Sequence, residues 1–134
     1  MQKPLTIGDL ARETGVKVVT VRYYERIGLL PTPVRRGSGA YRSYESADLG
    51  RLSFIRRARD LGFTLDQTRL LLELAEQRDR DCADVDALAR GHLADVERKI
   101  ADLSALRREL RDLIESCRRG KVAECRIIEA LSPA

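Results

Sequence analysis

Three cysteines have the most distinctive chemistry in this sequence. Cys82 stands alone, whereas Cys117 and Cys125 are separated by seven residues that include Gly120. Thiolates select soft or borderline cations such as Hg(II), Cd(II), Pb(II), Zn(II) and Cu(I). The sequence shows no signal-peptide pattern and no apolar run long enough to span a bilayer, so we expect a cytoplasmic protein with reduced thiols and no membrane partner. The odd cysteine count also argues against a disulfide framework.

The segment between the cysteines predicts one long helix. From Cys82 to Cys117 there is no proline and only one glycine, and apolar residues recur at three- and four-residue intervals. These are Ala89, Leu93, Val96, Ile100, Leu103, Leu106, Leu110, Leu113 and Cys117. A helix of roughly 54 Å with one apolar seam needs a partner helix. The chain predicts no second long helix, so we expect a homodimer joined by an antiparallel helix pair.

This dimer geometry predicts where the thiols meet. The start of one antiparallel helix lies beside the end of the other, so Cys82 of one subunit would approach Cys117 and Cys125 of its partner. Asp81 as N-cap would leave Cys82 in the first helical turn, where the helix dipole favours a thiolate. The prediction is two symmetric three-thiolate metal sites. Two alternatives are three buried cysteines that act as apolar residues, and a Cys117–Cys125 redox pair.

The N-terminal half predicts a nucleic-acid surface. Residues 1–63 carry 12 Lys and Arg against 6 Asp and Glu, whereas residues 64–134 carry 13 against 15. Two short helices, about 7–13 and 18–27, flank a Thr14-Gly15 turn and predict a helix-turn-helix. A small hairpin, or wing, is expected at 33–44. Cations beside tyrosine hydroxyls suit phosphate contact and groove insertion; the candidates are Thr20, Arg22, Tyr23, Arg26, Arg35, Arg36, Tyr41, Arg42 and Tyr44. Tyr24 is the better candidate for the core.

Two further helices complete the N-terminal domain (residues 1–76), which we call the head. One extends from Ser46 to about residue 61 and the other from Thr64 to about Ala75. Phe54 is expected to pack beneath the head, and four arginines are expected to be solvated or to face phosphates: Arg51, Arg56, Arg57 and Arg59. The predicted fold is therefore mainly α. A winged helix-turn-helix DNA-binding domain occupies residues 1–76, a dimerisation helix 77–117, and a metal-binding loop with a short C-terminal helix 118–134.

Several of these segments resemble the MerR family of bacterial transcription regulators. The motifs that match are TIGDLA at 6–11, TVRYYE at 20–25, GLL at 28–30, YRSY at 41–44 and RDLGFTL at 59–65. The resemblance implies an antiparallel coiled-coil homodimer that binds double-stranded promoter DNA. In such a promoter the two elements that RNA polymerase contacts are too widely spaced. The resemblance also implies that the apo form represses, and that the effector-bound dimer underwinds and bends the DNA so that RNA polymerase engages both elements. Lys17 stands where the family often has a helix N-cap such as serine, and it could add a phosphate contact.

The resemblance also bears on the metal. A cysteine at the Cys82 position marks sensors of divalent thiophilic ions, whereas copper(I) sensors of the family usually have serine there. The seven-residue interval between Cys117 and Cys125 is the one found in copper sensors. Three thiolates alone favour Hg(II), since Zn(II) wants a fourth ligand, with Cd(II), Pb(II) and Zn(II) as the other divalent candidates. We therefore expect a metal-responsive regulator and no enzyme. The alternatives are a copper(I) or thiol-redox sensor that uses Cys117 and Cys125 alone, and an architectural DNA-binding protein.

Overall fold

The fold was obtained as a computed structural model that describes residues 4–32, 43–117 and 120–133. Six α-helices lie within these ranges: α1 (Ile7–Thr14), α2 (Val18–Arg26), α3 (Ser46–Asp60), α4 (Leu65–Ala75), α5 (Ala83–Ser116) and α6 (Arg126–Leu131). A short 3₁₀ helix, Val122–Glu124, precedes α6. The chain divides into two compact units, Met1–Val85 and Asp86–Ala134. None of the helices described here is both long and apolar enough to cross a membrane.

The predicted helix-turn-helix is present in the first unit, and local sequence sets its ends. The Thr6 hydroxyl accepts the Asp9 N–H while the Asp9 carboxylate accepts the Thr6 N–H, so α1 begins with a capping box. Gly15 ends it with φ +75°, a left-handed conformation that favours glycine. Gly28, with φ +76°, follows the end of α2 in the same way. Both stops agree with the sequence prediction.

The third and fourth helices complete the head. The Glu45 N–H donates to Asp48 Oδ2 at the start of α3, and Thr64 and Gln67 form a reciprocal capping box at the start of α4. Tyr44 pairs with Leu5 in an isolated antiparallel bridge. Most of the predicted wing, 33–44, lies outside the described residues.

One hydrophobic core holds this head together. Its fully buried members come from three helices and from the Gly-Leu-Leu exit of α2: Leu10, Val21, Leu29, Leu30, Leu52 and Ile55. Tyr24 and Leu72 join the same cluster. Burial of Tyr24 confirms its expected place in the core.

The long helix predicted between the cysteines is present from Ala83 to Ser116, and 34 residues make it about 51 Å long. No residue of α5 is buried in the single chain. Its seam side chains stay more than half exposed at Leu93, Ile100, Leu103, Leu106 and Leu110. An apolar stripe of this kind on one face of a helix normally packs against another helix.

Candidate functional site

Cys117 and Cys125 lie together at the end of α5. Cys117 directly follows the helix, and Cys125 is the N-cap of α6. The 3₁₀ turn Val122–Glu124 brings the chain back, so the two Sγ atoms are 3.9 Å apart and both residues are half-buried. The structure thus brings these two predicted ligands together.

The sulfur separation fits two thiolates on one metal ion. At a metal–sulfur distance of about 2.3 Å, thiolates on a tetrahedral ion lie about 3.8 Å apart, and those on a trigonal ion about 4.0 Å. The observed 3.9 Å falls between these values. A disulfide needs about 2.05 Å, and all three cysteines are free thiols.

The local backbone favours the thiolate form of Cys125. The backbone N–H groups of Ile128 and Ile127, at the start of α6, lower the pKa of the Cys125 thiol below its ordinary value, and the hydrogen bond with the Cys117 thiol acts in the same direction. Because the thiolate is the species that binds metal, this position is prepared for a thiophilic cation.

Cys82 is exposed and lies one residue before α5. The Asp81 carboxylate accepts the Ala83 N–H at 2.8 Å, but Cys82, and not Asp81, stands directly before the helix. Cys82 itself precedes the first turn rather than lying within it, because the helix begins at Ala83. Among the described residues of one chain, no group of three or more His, Cys, Asp or Glu side chains could hold a metal ion.

The outer face of α2 carries several of the predicted DNA contacts. Arg22, Tyr23 and Arg26 are exposed, and the Arg26 guanidinium lies 5.7 Å from the centre of the Tyr23 ring, at cation–π range. Thr20 is half-buried, and Lys17 is the helix N-cap without a side-chain cap bond. The exposed side chains of Arg22, Tyr23 and Arg26 on α2 can therefore reach phosphate groups.

The remaining predicted DNA contacts divide into two groups. Arg35, Arg36, Tyr41 and Arg42 lie outside the described residues. Tyr44 is only 2% exposed, and its hydroxyl donates to Glu25 Oε1 at 2.6 Å. Its position therefore does not fit the expected DNA contact, because the ring belongs to the core and connects the start of α3 to α2. We call α2, the second helix of the helix-turn-helix, the reading helix.

Sequence reasoning missed a set of arginines that hold the end of α2 in place. Arg69 on α4 donates from Nη2 to the Ile27 carbonyl at 2.9 Å and from Nη1, more weakly, to the Gly28 carbonyl at 3.4 Å. Arg51 on α3 donates to the Leu29 carbonyl at 2.8 Å. Cations favour the carbonyl end of a helix, where backbone acceptors lack helical partners. We call Arg51 and Arg69 the exit clamp of α2.

Other α3 side chains also differ from the sequence prediction. Arg56 donates to the Thr14 carbonyl at 3.0 Å and lies over Gly15, and Arg59 donates to the Phe63 carbonyl at 2.6 Å. These arginines, like Arg51, satisfy backbone carbonyls rather than being simply solvated. Phe54, expected in the core, is 38% exposed, because it falls on the side of α3 opposite Leu52 and Ile55.

Two sequence-family profiles match the chain. One, described as the MerR HTH family regulatory protein, matches residues 5–75, which include all four helices of the head. The other, described as MerR, DNA binding, matches residues 49–113 and extends through most of α5.

Individual relatives match over nearly the whole chain. The mercuric resistance operon regulatory protein of Bacillus cereus is 43% identical over 126 residues, 93% of this chain and 95% of its own length. A transcription regulator of Ralstonia metallidurans, solved in complex with lead(II), is 43% identical with a TM-score of 0.80, over 96% of this chain and 99% of its own. The MerR regulator of Bacillus megaterium, solved with mercury(II), is 42% identical with a TM-score of 0.65, over 95% and 98% respectively.

Proposed function

The chain belongs to the MerR family of helix-turn-helix transcriptional regulators, and on that basis we propose that it is a sensor of a thiophilic divalent metal ion. Members of this family regulate transcription and are not enzymes. The observation that carries the metal assignment is the Cys117–Cys125 pair, with its sulfurs 3.9 Å apart beside the N–H groups of α6.

Cys82 of the partner subunit would supply the third thiolate. A helix of 34 residues, about 51 Å long, lies between Cys82 and Cys117 of the same chain. In an antiparallel pair the ends of this helix exchange places, so a Cys82 from one subunit approaches the cysteine pair of the other. Two-fold symmetry would then create two such sites per dimer.

The exposed seam of α5 supports the dimer. Five of its large apolar side chains are between 53% and 63% exposed in the single chain: Leu93, Ile100, Leu103, Leu106 and Leu110. Full burial of a leucine or isoleucine side chain stabilises an assembly by about 1.5–3 kcal/mol. An antiparallel pair of α5 helices would bury this seam and leave the charged residues of α5 in water.

Mercury(II) is the favoured ion. Three thiolates satisfy its preference for few, soft ligands, whereas zinc prefers four. Two of the similar proteins also carry mercury in their descriptions, and a third was solved with lead(II). Cadmium(II), lead(II) and zinc(II) are the other divalent candidates.

The proposed action is on promoter DNA. The apo dimer occupies its operator and represses, and the metal-bound dimer distorts the DNA so that RNA polymerase engages both promoter elements. The helix-turn-helix head, with Arg22, Tyr23 and Arg26 on its outer face, would hold each half-site.

The second candidate is a sensor that needs only the cysteine pair. It has one specific observation in its favour, since Cys117 and Cys125 already lie close together without a third residue. Two thiolates suffice for copper(I), and two neighbouring thiols can also be oxidised to a disulfide.

A competitive metal titration of the reduced, anaerobic dimer separates the two candidates. Wild type and Cys82→Ser are compared by stoichiometry and by thiolate-to-metal charge-transfer absorption. One dication per set of three cysteines, lost in Cys82→Ser, supports the intersubunit site and ranks the ions. Binding that is unaffected by Cys82→Ser, or tight binding of copper(I) alone, contradicts it and favours the second candidate.

A further inference from the structure

An exposed apolar side chain stands on the reading helix. Val19 is the second residue of α2 and is 70% exposed, more than the neighbouring Tyr23 at 40%. It shares an exposed stripe with Arg22, Tyr23 and Arg26, at spacings of three, four and seven residues.

The core prevents this helix from turning Val19 inward. Val21 and Tyr24 on the opposite side of α2 are buried in the central cluster, and Glu25 accepts the hydrogen bond of buried Tyr44. The exit clamp fixes the carbonyl end of the same helix. The Val19 side chain is therefore presented outward by a rigid support.

Val19 lies at the part of the helix-turn-helix that contacts base edges. In a helix-turn-helix the second helix lies in the major groove, and its N-terminal residues contact base edges. The cations and the tyrosine of the stripe can bind phosphate oxygens, but a valine has no polar atom and gains nothing from a phosphate. An apolar group at this position has one suitable target in the groove, the C5-methyl group that thymine alone presents among the four bases.

We propose that Val19 selects a thymine in each operator half-site through contact with its C5-methyl group. The assignment rests on the proposed DNA-binding function and adds to it a residue that specifies sequence rather than affinity for phosphate. Two-fold symmetry of the dimer places the selected thymines at symmetry-related positions of the operator.

The expected effect follows from burial of one methyl group. Removing such a contact costs about fourfold in affinity at one half-site and about fifteenfold when both are changed. Phosphate contacts should be unaffected, so the slope of affinity against salt concentration should stay the same.

The test uses the full-length wild-type dimer and a random DNA library to select its operator. Each thymine of the selected operator is then replaced by deoxyuridine, which lacks only the methyl group, in symmetry-related pairs. Affinities are measured for wild type, for Val19→Ala, and for Leu131→Ala as a control at an apolar side chain of similar exposure, 75%, in the second unit. Circular dichroism confirms that the variants are folded.

Replacing one symmetric thymine pair is expected to lower the affinity about fifteenfold for wild type and for Leu131→Ala, and less than threefold for Val19→Ala. Selection repeated with Val19→Ala should lose the thymine preference at that position alone. The proposal is overturned if the deoxyuridine profiles of wild type and Val19→Ala coincide, or if no thymine is selected in either half-site. Enrichment of no sequence at all would contradict DNA binding itself, which is a separate result.

Discussion

Replacing Arg69 with alanine is expected to destabilise the head, because it removes half of the exit clamp of α2. The Arg69 side chain is half-buried and connects α4 to the end of the reading helix through the Ile27 carbonyl at 2.9 Å. Its second bond, to the Gly28 carbonyl at 3.4 Å, is long for a hydrogen bond and contributes little.

The magnitude follows from one good charge-assisted bond. Hydrogen bonds to charged groups contribute about 1.5–3 kcal/mol, and partial exposure of Arg69 places the value near the lower limit. We therefore expect Arg69→Ala to reduce the free energy of unfolding by about 1.5 kcal/mol. Arg69→Lys should lose less, since the ammonium can still reach one carbonyl but lacks the planar fork.

Urea denaturation at a fixed subunit concentration measures this effect, because dimer stability depends on concentration. Arg57→Ala is the matched control, an exposed arginine on α3 whose loss should change the free energy by less than about 0.5 kcal/mol. Equal losses for Arg69→Ala and Arg57→Ala would refute the reasoning, since the clamp would then be no more than surface charge.

Three other substitutions or titrations test separate parts of the structure. Leu103→Ala removes about 2.4 kcal/mol of burial per subunit, so sedimentation should show the dimer dissociation constant rising by about three orders of magnitude. Arg108→Ala, which lies about 140° away around α5, should change this constant little. Equal effects of the two substitutions would contradict the predicted seam. The alkylation rate of Cys125, followed by mass spectrometry against pH, should have its midpoint below the usual thiol pKa, and a midpoint at or above that value would contradict the hydrogen-bonded thiolate. Since the folded state lowers this pKa, the linked stability is present above the unfolded thiol pKa and is lost as the pH falls through the lowered value. Gly15→Ala should destabilise the fold by about 1–2 kcal/mol, because the backbone φ is +75° and a guanidinium nitrogen lies 2.6 Å from the added Cβ. Gly50→Ala, which has open space around it in α3, should stabilise the fold by up to about 1 kcal/mol. Thermal melts that shift in the same direction for both variants would contradict this.

Local signals in the sequence predicted the helices well. Thr6 with Asp9 begins α1 and Thr64 with Gln67 begins α4 through reciprocal caps, and Gly15 and Gly28 mark the ends of α1 and α2. Such signals work because each hydrogen bond or backbone angle involves residues only a few positions apart. The apolar periodicity of α5 is equally local, and the helix predicted between Cys82 and Cys117 extends from Ala83 to Ser116. Residues 77–82, which were included in the predicted dimerisation helix, precede it.

Tertiary contacts of charged and aromatic side chains were not predictable in the same way. Arg51, Arg56 and Arg69 bind carbonyls that are 22 to 42 residues away along the chain. Neither periodicity nor charge indicates such acceptors, since any surface arginine has the same local signature. Tyr44 was assigned to DNA for a similar reason, because its burial depends on packing against α2 and on the Glu25 carboxylate.

The candidate metal site was predictable in part. The interval of seven residues with a glycine indicated that Cys117 and Cys125 converge, and their sulfurs do lie 3.9 Å apart. The exact turn, a 3₁₀ helix before α6, was not predicted. The position of Cys82 relative to this pair depends on a second subunit and stays a prediction.

Metal binding by a mixed dimer tests the intersubunit site most directly. Cys82→Ser and Cys117→Ser homodimers each lack one thiolate at both sites, and the two variants are unfolded and reassembled together. A heterodimer then has one site with all three cysteines, so the mixture should regain about one quarter of the wild-type metal per subunit, with the wild-type absorption. Recovery of no three-thiolate binding in the mixture would contradict a site shared across the dimer.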